Sequence, residues 1–363
     1  SSALSEAALL GQEIFKDESL SASGRMSCAT CHDPSIGHAS PFAGPVAFGG
    51  ANFPTDTQDS VSGLRLPPTI RYLKFNTAFR LDPDGTPVGG FFWDGRVNSL
   101  AEQARKPFLG ANEMANANAQ AVIDKLQLAS YANRFKQLFG AGIFLDPETA
   151  LDRVAFALER YQMEDPEFAP FSSKFDAVNA GKASFTDEEL RGLTWFNRRD
   201  KGNCTACHPS TAPVNAPGAL FTDFSYDSLG VPRNNSIAAN QVSGFYDMGL
   251  CGPARTDLAQ RADLCGRFKV PSLRNVALRK RFFHNGAFTD LRQVVSFYVT
   301  RDLTPAAWYP LVTYDDLPVQ WRGNVNVTEG PYNRVPGQSA ALNNTEIDDL
   351  VAFLRTLTDG YTP

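Results

Sequence analysis

Histidine and methionine are scarce in this chain, at four each among 363 residues. Histidine stands only at positions 32, 38, 208 and 284, and no methionine follows Met248. Long apolar runs are missing too; none approaches the roughly 20 residues that a membrane-crossing helix needs. Neither sign of charge dominates, with 34 basic against 39 acidic residues and a net charge of −5. That balance excludes the basic surface by which proteins hold nucleic acid or acidic membranes. A hydrophobic content of 43% with 20% charged residues excludes a disordered chain. The length accommodates two ordinary domains, each with its own core.

What is present is concentrated. Cys28-Ala29-Thr30-Cys31-His32 recurs as Cys204-Thr205-Ala206-Cys207-His208, using four of the six cysteines and two of the four histidines. C-x-x-C-H is the attachment signal for c-type haem: both thiols add across the vinyl groups and the histidine binds the iron. A zinc knuckle would need a second ligand pair at each motif. Only His38, His284, Cys251 and Cys265 remain to supply two of them. A thioredoxin-like site would need a βαβ context that the sequence lacks. Two covalently bound haem c groups are therefore expected, on Cys28, Cys31, Cys204 and Cys207, with His32 and His208 as iron ligands. Such attachment happens outside the cytoplasmic membrane, which predicts a periplasmic protein. The opening Ser1-Ser2-Ala3 is read as a mature chain freed of its signal peptide. In an oxidising compartment the two spare cysteines, Cys251 and Cys265, are expected to form a disulfide.

The regions around the two motifs share an order. Leu9-x-Gly11-x-x-x-Phe15 precedes the first and Leu190-x-Gly192-x-x-x-Phe196 the second, each on a helical pattern. Thr186-Asp-Glu-Glu189 reads as a capping box that places Leu190, Leu193 and Phe196 on one side. Leu151–Leu158 and Asp349–Leu354 read as matching closing helices, the latter stopped by Gly360. Between them lie long Gly-, Pro- and Asn-rich stretches, notably 41–68 and 209–252, which need an anchor such as a haem face. The fold class is mostly α with extensive coil, in two tandem cytochrome c-like domains, 1–168 and 169–363, each with one covalent haem.

Several further strings accompany the motifs: Leu10-Gly11…Ile14-Phe15, Phe92-Trp93-Asp94-Gly95-Arg96, Glu113-Met114, Phe268-Lys-Val-Pro-Ser-Leu-Arg-Asn275 and His284-Asn285-Gly286. Together they resemble the bacterial di-haem cytochrome c peroxidase/MauG family over nearly the whole chain. The resemblance implies one haem that reacts with peroxide and one that stores electrons. It makes the first domain the site of a high-spin, peroxidatic haem. Glu113 would be its proton-moving group, Gln103 would hold the bound ligand, and Pro107 would crowd the distal face. No histidine in 40–63 is available to close that iron. His38, six residues past His32, is expected at the surface or on a haem propionate. In the second domain Tyr298 falls where the family's peroxidases carry a ligand Met and MauG-type enzymes a Tyr. Read from the residues alone, Tyr298 is equally at home in an apolar helix stripe. The resemblance implies a six-coordinate His/Tyr haem, whose phenolate oxygen stabilises oxidised iron where a thioether would raise the potential. Trp93 matches a family residue that relays charge between the haems, and His284 matches a His near the second one.

Two positions depart from the pattern. MauG-type enzymes have a Trp two residues before the second motif, at the surface that meets their protein substrate; here that residue is Gly202. The family's calcium-binding Asn reads Leu66, and its carbonyl segment reads Arg279-Lys-Arg281. Calcium wants several hard oxygens, so the expectation is a weakly held or absent ion.

The expected activity is that of a periplasmic di-haem oxidoreductase that reacts with hydrogen peroxide. It would store two oxidising equivalents across both haems, in a bis-Fe(IV)-like state, to oxidise an external donor or protein substrate. One alternative is an ordinary di-haem cytochrome c peroxidase, supplied with electrons by a small cytochrome c or cupredoxin. A second is a pure electron-transfer cytochrome, which would have no use for Gln103 and Glu113 beside an open iron.

Overall fold

The computed structural model describes residues 3–44, 46, 48–53 and 61–363. The loop at 40–63, expected to leave the first iron uncovered, thus lies partly outside the described residues. Ten α-helices and eleven short 3-10 turns are joined by irregular chain, and strand is limited to three two-stranded ladders among the described residues. The chain forms two compact units. The first comprises 1–78, 90–92 and 97–169; the second comprises 79–89, 93–96 and 170–363.

In the first unit, helices α1 (Glu6–Lys16), α2 (Cys28–Cys31), α3 (Leu100–Leu109), α4 (Ala119–Leu126), α5 (Ala132–Phe139) and α6 (Pro147–Glu164) surround one core. Strands β1 (Phe48–Gly49) and β2 (Val61–Ser62) form a short antiparallel ladder. Helix α1 starts at Ser5, whose hydroxyl accepts from the Ala8 amide at 3.2 Å. Its Leu10, Ile14 and Phe15 are fully buried. Gly11 lies where α1 meets α6, and a Cβ there would fall on the Ala157 carbonyl oxygen. The helix backbones can approach this closely only because that side chain is missing.

The second unit repeats the device with α7 (Lys174–Asn179), α8 (Asp187–Asn197), α9 (Leu291–Thr300) and α10 (Asn344–Arg355). Thr186 and Glu189 form the expected capping box, and Asn343 and Glu346 form another at the start of α10. Gly192 meets the Asp349 carbonyl of α10 as Gly11 meets Ala157. Gly192, not Leu190, therefore faces α10; Phe196 is buried, whereas Leu190 is 54% exposed, against the one-sided pattern expected of it. Helix α10 also ends earlier than expected, at Arg355 with Thr356 as its cap, well before Gly360. Strands β3 (Arg80–Leu81) and β4 (Pro87–Val88) pair with each other, as do β5 (Tyr226–Asp227) and β6 (Phe268–Lys269). The long 209–252 stretch is tied down by Arg233, which reaches Asp316 at 3.0 Å and the carbonyls of Asn240 and Phe245 at 2.9 and 2.6 Å. Cys251 and Cys265 are joined as a disulfide, with Cα atoms 4.9 Å apart.

Candidate haem sites

In the first unit the C-x-x-C segment is the single helical turn α2, capped by Ser27 and Thr30. Both thiols pack against the apolar core. Burial pushes each up to about 12, and the negative charge of Glu113 adds to the rise. Glu113 thus lies within electrostatic reach of both motif cysteines. His32 is held by the carbonyl of His38, to which its Nδ1–H donates at 3.4 Å. Burial lowers the imidazole to about 4. A neutral ring with its proton on Nδ1 keeps the Nε2 lone pair for a metal.

His38 is completely buried, which overturns its expected place at the surface. Its Nδ1 accepts from Arg71 Nε at 3.1 Å, and its ring packs on Phe168 with centroids 4.4 Å apart. The left-handed backbone at His38 (φ 55°) turns its carbonyl toward His32.

Helix α3 carries Gln103 and Pro107 one turn apart, so both lie on one face. Pro107 is the eighth residue of this ten-residue helix. A proline there removes the hydrogen bond to the Gln103 carbonyl, a loss of about 3 kcal/mol in a helix interior. Past Gly110 the chain folds back: the Met114 amide donates to the Pro107 carbonyl and the Glu113 amide to that of Gly110, both at 3.0 Å. Asn116 locks this turn by donating to the carbonyls of Leu20 and Phe108 at 2.8 and 2.9 Å. Gln103, Pro107 and Glu113 are all half-buried.

In the second unit, Cys204, Cys207 and His208 line a cavity of about 1500 Å³, its open mouth included. Burial pushes the Cys204 thiol up to about 12 and raises that of Cys207 as well. His208 Nδ1–H donates to the Phe221 carbonyl at 2.8 Å, and burial lowers its imidazole to about 4. Tyr298, Trp93 and His284 line the same cavity. The Trp93 carbonyl accepts from the Lys269 amide at 2.9 Å. His284 stacks on Phe268, with centroids 3.6 Å apart and planes at 9°. Burial raises the phenol of Tyr298, which stays protonated unless a cation displaces its proton.

The lining contains two cations. Burial lowers the Lys269 ammonium to about 7 and the Arg279 guanidinium to about 10. Nη2 of Arg279 is buried without a hydrogen-bond partner. A desolvated guanidinium N–H turned into a cavity is costly unless an anion meets it. A haem, with its apolar face and carboxylate edge, fits this combination of thiols, free imidazole nitrogen and unpaired guanidinium.

The two sites are built alike. Thr69 donates to the Gly37 carbonyl and Ser272 to the Leu220 carbonyl, each at 2.7 Å. Each accepting carbonyl immediately precedes the residue that holds the proximal imidazole, and those residues, His38 and Phe221, have φ of 55° and 54°. Phe92 and Phe283 have φ of 67° and 66°, Gly95 and Gly286 have φ of 64° and 60°, and isolated bridges Phe91–Val97 and Phe282–Phe288 enclose them. Helices α3 and α9 follow, capped by Ser99 and Asp290. Counted from these caps, Pro107 and Tyr298 are both the eighth helical residue, and Gln103 corresponds to Val294. Trp93 corresponds likewise to His284.

A family profile described as di-haem cytochrome c peroxidase matches residues 5–184. Methylamine utilization protein MauG of Paracoccus denitrificans is 38% identical over 97% of this chain and 88% of its own length. The crystal structure of the diheme peroxidase BthA from Burkholderia thailandensis superposes with a TM-score of 0.89. It is 39% identical, over 97% of this chain and 86% of that one. The chain belongs to the di-haem cytochrome c peroxidase/MauG family. Cytochrome c551 peroxidase of Nitrosomonas europaea, a relative from the peroxidase side, is 29% identical over 79% of this chain and 70% of its own. Membership makes the protein an enzyme of the di-haem peroxidase and MauG-like oxidoreductases, with two haem cofactors and a predominantly helical fold.

The family's departures also have physical form in this chain. A Cβ on Gly202 would come within 2.7 Å of the Trp195 carbonyl and 3.2 Å of Cys204 Sγ, so this backbone has no room for an indole. Trp195 itself is half-buried, donating to Asp349 at 3.3 Å. Leu66 is buried and offers a hydrocarbon side chain. The carbonyls of His38 and Phe221 were not singled out in the sequence, and Arg279 figured there only within the 279–281 segment. The recurrence of Pro68-Thr-Ile-Arg71 as Pro271-Ser-Leu-Arg274 is the signal that would have led to the two carbonyls.

Proposed function

We propose that this enzyme reacts with hydrogen peroxide at the His32 haem and stores both oxidising equivalents across its two haems. The observation that carries this reading is the equivalence of Pro107 and Tyr298. The same helical position holds a side chain with no ligand atom in one unit and a phenol in the other. Each haem, attached through Cys28 and Cys31 or through Cys204 and Cys207, supplies an iron that can give up electrons to a bound peroxide. Around the first, the Glu113 carboxylate takes the proton from the inner peroxide oxygen and returns it to the outer one, which leaves as water. The Gln103 amide donates to the bound ligand, and Pro107 keeps the face short of a competing ligand. Around the second, Tyr298 would supply a hard anionic oxygen to the iron, and the Arg279 guanidinium would be available to a haem carboxylate. Trp93, an oxidisable indole lining the second cavity, is the proposed relay.

Covalent attachment of this kind supports a periplasmic location, with an oxidisable protein or a small cytochrome c or cupredoxin as the electron source. The hydrocarbon of Leu66 and the cations of 279–281 support a calcium ion that is weakly held or absent. Metal analysis after chelation, finding one tightly held calcium per chain, would reverse that point.

The test is to add stoichiometric peroxide to the fully ferric protein and follow both haems optically. The expected result is rapid formation of a long-lived two-equivalent state without prior reduction. No reaction until one haem has been reduced would instead identify an ordinary cytochrome c peroxidase, the reading favoured by likeness to the Nitrosomonas enzyme. Two six-coordinate haems inert to peroxide would identify a pure electron carrier.

A further inference from the structure

The second cavity contains a phenol that the proposed function leaves unused. Tyr332 lines it beside Tyr298, with ring centroids 6.1 Å apart and planes at 34°. Its hydroxyl donates to Asp227 Oδ2 at 3.0 Å and lies 3.3 Å from Glu329 Oε2. Asp227 is fixed for this contact: its Oδ1 accepts from the Ser228 amide at 2.8 Å and its Oδ2 from Asn326 Nδ2 at 3.1 Å. Tyr332 is only 5% exposed, whereas Glu329 is exposed to solvent. Asp227 and Glu329 line the same cavity as the two tyrosines, and Glu329 is the member of the group open to water.

We propose that Tyr332 is a redox-active tyrosine that passes oxidising equivalents out of the second haem site, with Asp227 taking its phenolic proton. The inference rests on the two-equivalent state proposed above. In the step, one electron leaves Tyr332 for the oxidised site on the Tyr298 side. The phenolic O–H bond breaks, its proton moves to Asp227 Oδ2, and a neutral phenoxyl radical remains. A one-electron donor at the surface then reduces the radical, and the proton returns from Asp227. Peroxide is the oxidant, and two such cycles consume its two equivalents.

The surroundings favour coupled over separate transfer. The Arg301 guanidinium lies over the Tyr332 ring, 4.9 Å from its centroid, so a cationic ring is opposed electrostatically. An electron can leave only if the proton leaves with it. Burial raises the carboxyl of Asp227, making it a better proton acceptor than a solvated aspartate. Glu329, sharing both Tyr332 and Asn326 with Asp227, offers the proton a way to solvent.

The test uses the haem-loaded protein. Stoichiometric peroxide is added, samples are freeze-quenched, and paramagnetic resonance is recorded with and without deuterated tyrosine. The wild type is expected to give an organic radical whose signal narrows on deuteration, and Tyr332→Phe to lose it. The two-equivalent state should still form in Tyr332→Phe but be reduced more slowly by ferrocyanide. Asp227→Asn, close in shape but a poor base, should slow that reduction by about 10²-fold or more, the usual range for a lost proton acceptor. Should Tyr332→Phe fail to load haem, Asp227→Asn carries the test alone. A merely structural Tyr332 would alter melting or haem spectra but leave the radical in place. A radical and decay rate in the variants equal to those of the wild type overturn the relay alone; absence of any two-equivalent state in the wild type overturns the relay together with the function it rests on.

Discussion

The two haem sites share a scaffold and differ in a handful of side chains. In both, a short Cys-x-x-Cys turn presents a neutral imidazole whose Nδ1 is held by a backbone carbonyl of left-handed conformation. In both, a capped helix follows a Phe–Gly loop of the same backbone shape. The differences include the helix, with Gln103 and Pro107 in the first unit against Val294 and Tyr298 in the second, and the loop before it, with Trp93 against His284. A common backbone sets where a side chain stands, and the proposed difference between an open and a closed iron rests on which side chain stands there.

The comparison can be broken most decisively at Tyr298. Tyr298→Phe should abolish storage of the second equivalent while peroxide still reacts at the first site; unchanged optical signatures of the two-equivalent state would remove Tyr298 from the iron. The next largest effect is expected at Glu113. Glu113→Gln should slow the reaction with peroxide by roughly 10²- to 10⁴-fold, the span of a lost acid–base group, with haem content unchanged. A stopped-flow rate within a factor of two of the wild type would leave Glu113 as a solvated carboxylate.

Smaller effects probe the scaffold. Gly11→Ala and Gly192→Ala should each cost about 1–3 kcal/mol of stability, because a methyl group overlaps a carbonyl of the facing helix in both units. Denaturant titrations that find one substitution harmless would show that the two crossings are not equivalent. The smallest difference lies at the second crossing. There Asp349 is bound by Arg191 through two 2.9 Å contacts, at the place where the first crossing has Ala157. The Arg191 bonds hold the Asp349 carboxyl below its usual value. Its folded pKa is depressed, so this contribution is present above the ordinary carboxylate range and lost as pH falls through the lowered value. Because Arg191 is largely exposed, solvent screens the pair and keeps its contribution small. Asp349→Asn should flatten the acid limb of unfolding only slightly, measured against Asp152→Asn on the first unit's helix α6.

Much of the framework was legible in the sequence. The capping box at Thr186–Glu189, the amphipathic pattern of α10 and the matched Gly11 and Gly192 strings depend on neighbours within one or two helical turns. Such local rules leave a periodic trace. The reading failed where a residue's environment comes from distant chain. Nearness to His32 in sequence points His38 to the surface or a propionate; it is buried because Arg71 and Phe168 cover it. Leu190 was placed inside by periodicity, but Gly192 brings α10 against another face. Arg279 read only as one cation among three, since nothing local marks it as lining a cavity.

By itself, the sequence determined the two Cys-x-x-Cys-His turns, the helices that bracket them and the family, because these follow from short spacings and from strings matched along the chain. The tertiary structure alone decided that Pro107 and Tyr298 are counterparts, that Arg279 faces the cavity of His208, and that Tyr332 meets Asp227. Each of these depends on the path of chain segments far apart in sequence, and only packing brings their side chains to one place.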